Sequence, residues 1–336
     1  NAIMGKWNTD GIKLLLDDVN AKGGVNGRKI ELVQVDDQAD ASKSVTAVKN
    51  LILQENVLAV IGSTNSTPTI SDIDVTSQYK VAQMTQGVAA KICTLGSGNV
   101  FRVYPNDALF SQVIVDYLVK DLKKTKFALI RDTTAFGQGQ FDGFNKYLAA
   151  NNLKLVADEQ YNPEDKDFTG QLLKIQKSGA EVLLLGASEI WAGLIAKQAR
   201  QLGMNDLLLA GGTAVGTPKY IESGGAATDG TYFAAPYINA DFSDATKKFA
   251  ADFQKKYNYE PDAHVAGGYV NAQALVYALQ KAGPNPTRES ILAALKTYKV
   301  DSSLFGPIDF TKGCEGFQKM MIGKVAGGKL TQVRGY

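Results

Sequence analysis

The stretch Ile12–Asp37, IKLLLDDVNAKGGVNGRKIELVQVDD, reads as a helix, a turn and a strand in direct succession. Ile12, Leu15, Leu16 and Val19 recur at i, i+3, i+4 and i+7, which puts them on one helical face. Gly23-Gly24 ends that helix where the backbone needs positive φ. Lys29–Asp36 then follows as a β-rich run. Outward from it, similar runs recur at Val57–Gly62, Val81–Thr85 and Val100–Tyr104. A second series follows at Lys126–Arg131, Lys154–Ala157, Glu181–Gly186, Asp206–Ala210 and Gly230–Ala234. Val182-Leu183-Leu184-Leu185 is unbroken apolar sequence, the pattern of a parallel strand covered on both faces.

Apolar stripes separate these runs. They include Phe110, Val113, Ile114, Tyr117 and Leu118; Phe141, Phe144 and Leu148; and Phe249, Phe253 and Tyr257. Asp107 is expected to cap the helix that follows it. Strand–helix alternation implies right-handed βαβ units and an α/β fold. Nine strands in two series suggest two sheets. Helices expected at Ala245–Tyr257, Val265–Lys281 and Arg288–Lys296 come after the second series, so the chain should cross back to cover the first lobe. Two lobes joined by short crossovers imply hinge motion around a cleft. An open α/β sheet normally opens with a strand, yet this chain starts almost at a helix. Either a strand precedes Asn1 or the first sheet lacks a member.

The 336 residues suffice for about two domains. Lys+Arg is 36 and Asp+Glu 34, a net charge of +2, without the basic excess that nucleic-acid binding relies on. No apolar run approaches the ~20 residues that span a bilayer. One histidine, His264, cannot build a two-His metal site; near a helix start it reads as a surface or cleft-lining residue. Cys93 and Cys314 form no CxxC motif and are either two buried thiols or one long-range disulfide. Gly137, Gly139 and Gly143 imitate a dinucleotide fingerprint, but the last interval is one residue too long and no acidic residue follows with the right spacing. They read as glycines of a strand–helix turn. Asp36-Asp37 reads as a solvated strand end. No P-loop or nucleophile elbow occurs, and no cofactor or metal is expected.

Thr64, Asn65, Ser66 and Thr67 follow one strand and open a helix, where hydroxyls and N–H groups suit a carboxylate. The alternative is capping alone. Thr85-Gln86-Gly87-Val88-Ala89-Ala90 follows the next strand, and its small residues allow a ligand to approach the backbone; the alternative is a plain loop. In the second series Thr133, Thr134 and Phe136, then Ala187, Ser188, Glu189 and Trp191, then Gly211, Gly212 and Thr213 follow successive strands. Open α/β sheets bind ligands beyond such strand ends. Phe136 and Trp191 could equally be core packing.

Here a family resemblance emerges. Asn20–Asp37 resembles the first helix–turn–strand of periplasmic substrate-binding proteins of the leucine/isoleucine/valine-binding type. Asp167–Gly186, DFTGQLLKIQKSGAEVLLLG, resembles the middle of their second lobe, and Pro261–Gly283 and Phe305–Phe310 their returning helices and last crossover. The resemblance implies a two-lobe type I periplasmic-binding-protein fold, each lobe a mostly parallel sheet flanked by helices, with a ligand cleft between them. It places the first lobe at 1–106 with 239–305 and the second at 107–238 with 306–336, and the opening strand and its loop before Asn1. It implies capture of a free amino acid or other small carboxylate for an ABC permease, by a monomer, in the periplasm or on the outer face through a lipid anchor. Ser66 matches the hydroxyl that holds the carboxylate, Gly87 and Ala89 the next loop, and Phe136 an aromatic that stacks over the ligand. Ala89 stands where Thr is usual. Ser188 and Thr213 stand where amino-acid binders carry Tyr and an acid. Burying an unpaired ammonium is costly, so the expectation leans to a keto or aromatic acid, with an apolar amino acid next; Glu189 or Asp107 could supply the anion.

Three other readings compete: a ligand-sensing domain of the same fold, a nucleotide-dependent oxidoreductase, and a scaffolding protein. The second makes a cheap prediction. Adding NAD is expected to leave the melting temperature unchanged, and a stabilising shift would revive it.

Overall fold

The computed structural model describes residues 2–96, 98–238, 243–317 and 319–335. In chain order it begins with α1 (Ala2–Ala21), α2 (Ala41–Leu53), β1 (Ala59–Ile61), α3 (Ser66–Gln78), β2 (Ala82–Thr85), α4 (Lys91–Leu95) and β3 (Val100–Arg102). There follow α5 (Asp107–Asp116), β4 (Phe127–Asp132), α6 (Ala135–Ala150), β5 (Leu155–Tyr161), α7 (Thr169–Lys177), β6 (Val182–Gly186), α8 (Glu189–Gln201), β7 (Leu208–Gly211), α9 (Pro218–Gly224) and β8 (Tyr232–Ala235). The chain ends with α10 (Asp244–Tyr257), α11 (Ala263–Ala282), α12 (Arg288–Leu295), β9 (Lys299–Val300), β10 (Ile308–Asp309), β11 (Met321–Ala326) and β12 (Lys329–Arg334). These elements divide into one unit of Asn1–Pro105 with Asp241–Lys319 and another of Asn106–Ala240 with Met320–Tyr336.

In the first unit β1, β2 and β3 form a parallel sheet. Ile12 and Leu16 of α1 pack with Ala272 of α11, so the late helices do return to this unit. Gly24 lies at φ +80°, where a Cβ would overlap the Arg28 carbonyl, so the turn demands glycine there. The expected strand Lys29–Asp36 is not formed. No ladder partner flanks it among the described residues, and Leu32, Val33 and Val35 are exposed. β-propensity expresses itself only where a neighbour accepts the hydrogen bonds. A groove of about 690 Å³, lined in part by Ile12, Leu16, Ile30, Val48 and Val60, runs beside this segment.

The first unit also runs on to Lys319, past the boundary expected at 305. Four contacts hold residues 306–317 there. β10 pairs with β9, the Phe310 N–H donates to Tyr298 O (2.9 Å), the Phe310 ring meets Phe101 edge-on at 5.2 Å, and Cys314 is disulfide-bonded to Cys93. The two cysteines are therefore one bridge rather than two thiols.

The second unit is built on a seven-stranded sheet in the order β12-β11-β8-β7-β6-β4-β5. β4 to β8 are parallel; β11 and β12 join antiparallel. Every residue of Val182–Gly186 is buried, as the unbroken apolar run requires. Phe144 and Leu148 of α6 and Phe110 and Ile114 of α5 are buried too. The cap of α5 is Asn106, not Asp107. Asn106 is extended and its side chain accepts from Leu109 N (2.7 Å), whereas Asp107 is the first helical residue. Strands β11 and β12 escaped the sequence reading, although Gly327-Gly328, both at positive φ, is a hairpin signal.

Two predictions follow from this packing. The disulfide closes a loop of 221 residues, for which chain entropy gives about 5 kcal/mol and measured removals about 2–5. A Cys93→Ser/Cys314→Ser double variant should lose stability on that scale in denaturant melts; an unchanged midpoint would contradict it. The second concerns Asp72 on α3, which is buried against α2. Ser44 Oγ donates to its carboxylate at 2.7 Å, and its Oδ1 has no partner among the described residues. Burial, reinforced by the charge of Asp37, lifts its pKa to about 7 against the pull of Ser44. The fold then favours the protonated acid. Its destabilising charge is absent below the unfolded pKa near 4 and fully present above about 7. Asp72→Asn should raise stability at pH 8, by up to about 4 kcal/mol, with the gap closing towards pH 4. Thermal melts across that range check the sign.

Candidate functional site

Parallel strands aim their carboxyl ends, and the helix N-termini that follow them, at one edge of a sheet. In the first unit that edge carries the Thr64–Thr67 and Gly87–Ala89 segments. Asn65 occupies the cap position of α3, yet its side chain makes no cap hydrogen bond. Ser66 opens the helix and is 2% exposed. Its Oγ accepts from Val88 N (3.2 Å) and Ala89 N (3.1 Å). A serine hydroxyl has two acceptor lone pairs and one proton. With both lone pairs engaged, what Ser66 has left to offer is its O–H. The structure thus brings Ser66, Val88 and Ala89 together, and fixes the hydroxyl as a donor.

Threonines build the floor beneath. Thr85 Oγ donates to Ser63 O (2.8 Å) and accepts from Gly87 N (2.8 Å). Thr69 Oγ lies 3.0 Å from Thr85 Oγ and 2.7 Å from Asn65 O. Gly87 has no room for a side chain, because a Cβ would meet Ile92 and Thr69 within about 3 Å. Thr64 and Asn65 remain half-buried beside Ser66.

In the second unit the strand ends carry Asp132, Ser188, Glu189 and Thr213, with Phe136 the second residue of α6. Asp132 Oδ1 accepts from Thr134 N (2.9 Å) and Gly137 N (3.1 Å) and from the Thr134 hydroxyl. Burial raises its pKa, opposed by those hydrogen bonds and by Arg131. Glu189 opens α8 and is buried; Asp107 opens α5 and is buried. Burial drives the Tyr161 phenol well above its ordinary range, helped by the charges of Asp132 and Glu189. Ser188 caps α8 without a side-chain hydrogen bond, Thr213 is buried just after β7, and Phe136 is half-exposed. Trp191 is partly buried: its indole N–H donates to Asp165 O (3.1 Å) and its ring packs against the core.

The glycines of α6 have packing duties. A Cβ on Gly137 would overlap the Asp132 carbonyl, and one on Gly143 would meet Ser111. His264 is buried rather than exposed: its ring stacks with Tyr104, and its Nδ1 lies 3.0 Å from Gln86 Oε1. Sequence reasoning included Thr85 and Gln86 in the Thr85–Ala90 run but missed Arg102. Arg102 carried a signal, since it is the lone charge in the apolar run Val100–Tyr104. Among the described residues no cluster of His, Cys, Asp and Glu could hold a metal ion, and no helix is long and apolar enough to cross a membrane.

Sequence and structure comparisons bear on the family and the fold. Residues 1–329 match the family model described as periplasmic binding protein. Leu/Ile/Val-binding protein homolog 3 of Brucella melitensis is 28% identical over 307 residues, 90% of this chain and 81% of that protein. The branched-chain amino acid transporter substrate-binding protein LivJ of Streptococcus pneumoniae, solved with isoleucine, superposes with a TM-score of 0.89 at 23% identity, over 98% of this chain and 95% of that one. An ABC transporter solute-binding protein of R. palustris, solved with benzoate, gives 0.89 at 21% identity, over 98% and 91%. With two α/β units, polar groups at the strand ends and a match over nearly its whole length, the chain belongs to the periplasmic binding protein family and is similar within it to the Leu/Ile/Val-binding proteins.

Proposed function

We propose that this protein is the solute-binding component of an ABC importer and captures a small carboxylate without chemical change. One observation carries the reading: Ser66 Oγ accepts from Val88 N and Ala89 N and so can only donate outward. A donor hydroxyl at the start of the 13-residue helix α3 suits an anionic oxygen, which the helix dipole also favours. In this reading the first unit takes the ligand carboxylate through Ser66, Thr64 and Asn65, and the Gly87–Ala89 loop, its amides spent on Thr85 and Ser66, lies against the ligand. The second unit then closes, Phe136 excludes water, and Ser188, Glu189, Asp107 and Thr213 meet the other end. Ligand selects the closed form, which the membrane permease recognises. The protein works as a monomer outside the cytoplasmic membrane, in the periplasm or held by a lipid anchor. Relatives that carry isoleucine or benzoate support both an amino acid and an aromatic acid as ligand class.

Thr213, where an acid would pair an ammonium, supports a keto or aromatic acid. The buried carboxylates of Asp132 and Glu189 support the second reading, an apolar amino acid, because each could neutralise an amine. Calorimetry with leucine, isoleucine, 4-methyl-2-oxopentanoate and benzoate separates them. Tight leucine binding with silence from both amine-free acids would defeat the first; silence from all four would defeat the carboxylate reading as stated. Ser66→Ala should weaken whichever ligand binds by about 10- to 100-fold, since a hydrogen bond to a charged group is worth about 1.5–3 kcal/mol.

A further inference from the structure

Arg102 is the last residue of β3 and one of the largest fully buried side chains in the protein. Its Nη1 donates to both Gly87 O (2.8 Å) and Ala89 O (2.9 Å). Its other edge faces Glu315, with Nε donating to Oε2 at 3.1 Å and Nη2 to Oε1. The backbones are joined as well: Arg102 N donates to Cys314 O (2.9 Å), and Gly316 N donates to Arg102 O (3.0 Å). Cys314 is bonded to Cys93 on α4, which starts two residues after Ala89. Ala89, Ile92, Val100 and Cys314 share one apolar cluster with Ile73.

These contacts hold the loop from opposite sides. Its amides at Val88 and Ala89 run to Ser66, its amide at Gly87 to Thr85, and its carbonyls at Gly87 and Ala89 to Arg102. A loop of small residues has no side chains with which to fix itself. Ser66 points its proton outward only while Val88 N and Ala89 N occupy its lone pairs. We propose that Arg102 is a positioning residue for the ligand loop Gly87–Ala89, and that Glu315 and the Cys93–Cys314 bridge hold Arg102 in that role. It acts on ligand through Ser66, without touching it. The planar fork matters: one edge reaches two carbonyls while the other grips a carboxylate, which a lysine ammonium cannot do in the same geometry. Glu315 belongs to the last stretch of the first unit, just before the chain enters the second at Met320. The loop is thus braced by the segment that leads into a crossover.

The proposal rests on the reading of Gly87–Ala89 as a ligand loop, and the test keeps the two apart. Hydrogen exchange without ligand reads the loop alone; calorimetry with leucine, isoleucine, 4-methyl-2-oxopentanoate and benzoate reads the site. In Arg102→Met, amides of Gly87, Val88 and Ala89 should exchange at least about 30-fold faster while those of β6 and α11 stay as in wild type. Affinity for whichever probe binds wild type should drop at least about tenfold, with partial recovery in Arg102→Lys. Cys93→Ser/Cys314→Ser should loosen the same three amides by a smaller factor. Wild-type exchange at the loop in Arg102→Met, or affinity within about twofold despite a loosened loop, overturns the proposal. If Arg102→Met does not fold, Arg102→Lys and Glu315→Gln carry the test, since a glutamine keeps an acceptor oxygen for the buried guanidinium while removing the charge; unchanged loop exchange in both overturns it equally. If wild type binds none of the four probes, the ligand reading fails and the exchange data still decide the positioning role.

Discussion

Parallel strand pairing is the constraint from which the rest follows. A strand that must run beside its predecessor in the same direction needs a return path, and a helix supplies it. Each return puts a strand carboxyl end and a helix N-terminus at the same edge. α3 follows β1 in this way, α6 follows β4 and α8 follows β6. The polar residues of the candidate site are drawn from those joints, and the apolar runs between them are buried on both faces.

At the first unit's edge, the chemistry is decided by saturation of hydrogen-bonding capacity. Ser66, Thr85 and Arg102 together engage donors and acceptors of the loop backbone around Gly87–Ala89, with Thr69 behind Thr85. A serine alone could donate or accept; here its neighbours remove the choice. The same principle explains Arg102. A buried guanidinium is tolerated because its N–H groups meet two carbonyls and a carboxylate. At the second unit's edge the buried acids play a comparable part. Asp132 organises the turn into α6 through three donors.

Several local readings matched the structure because their causes are local. Val182–Leu185 is a buried strand because nothing in it could face water. Gly23-Gly24 ends α1 because the turn needs positive φ. The three late helices fall within a few residues of their expected spans. Where the cause was not local, the reading went astray. Lys29–Asp36 has strand composition but no ladder partner among the described residues. Asn106 and Asp107 are both good caps, and only the backbone turn assigns the role to Asn106. For Trp191 the sequence left site and core equally open; its indole N–H donates to Asp165 O and its ring packs against the core cluster.

By itself the sequence determined the alternation of strands and helices, the two larger sheets and the set of small and hydroxylated residues at the strand ends. Those properties depend on periodicity and on backbone chemistry over a few residues. Tertiary structure alone decided that Cys93 meets Cys314, that residues 306–319 stay with the first unit, and that Ser66 is a donor held in place through Val88 and Ala89. Each of these depends on which groups far apart in the chain come within about 3 Å or a disulfide's reach, and no pattern along one strand of text carries that distance.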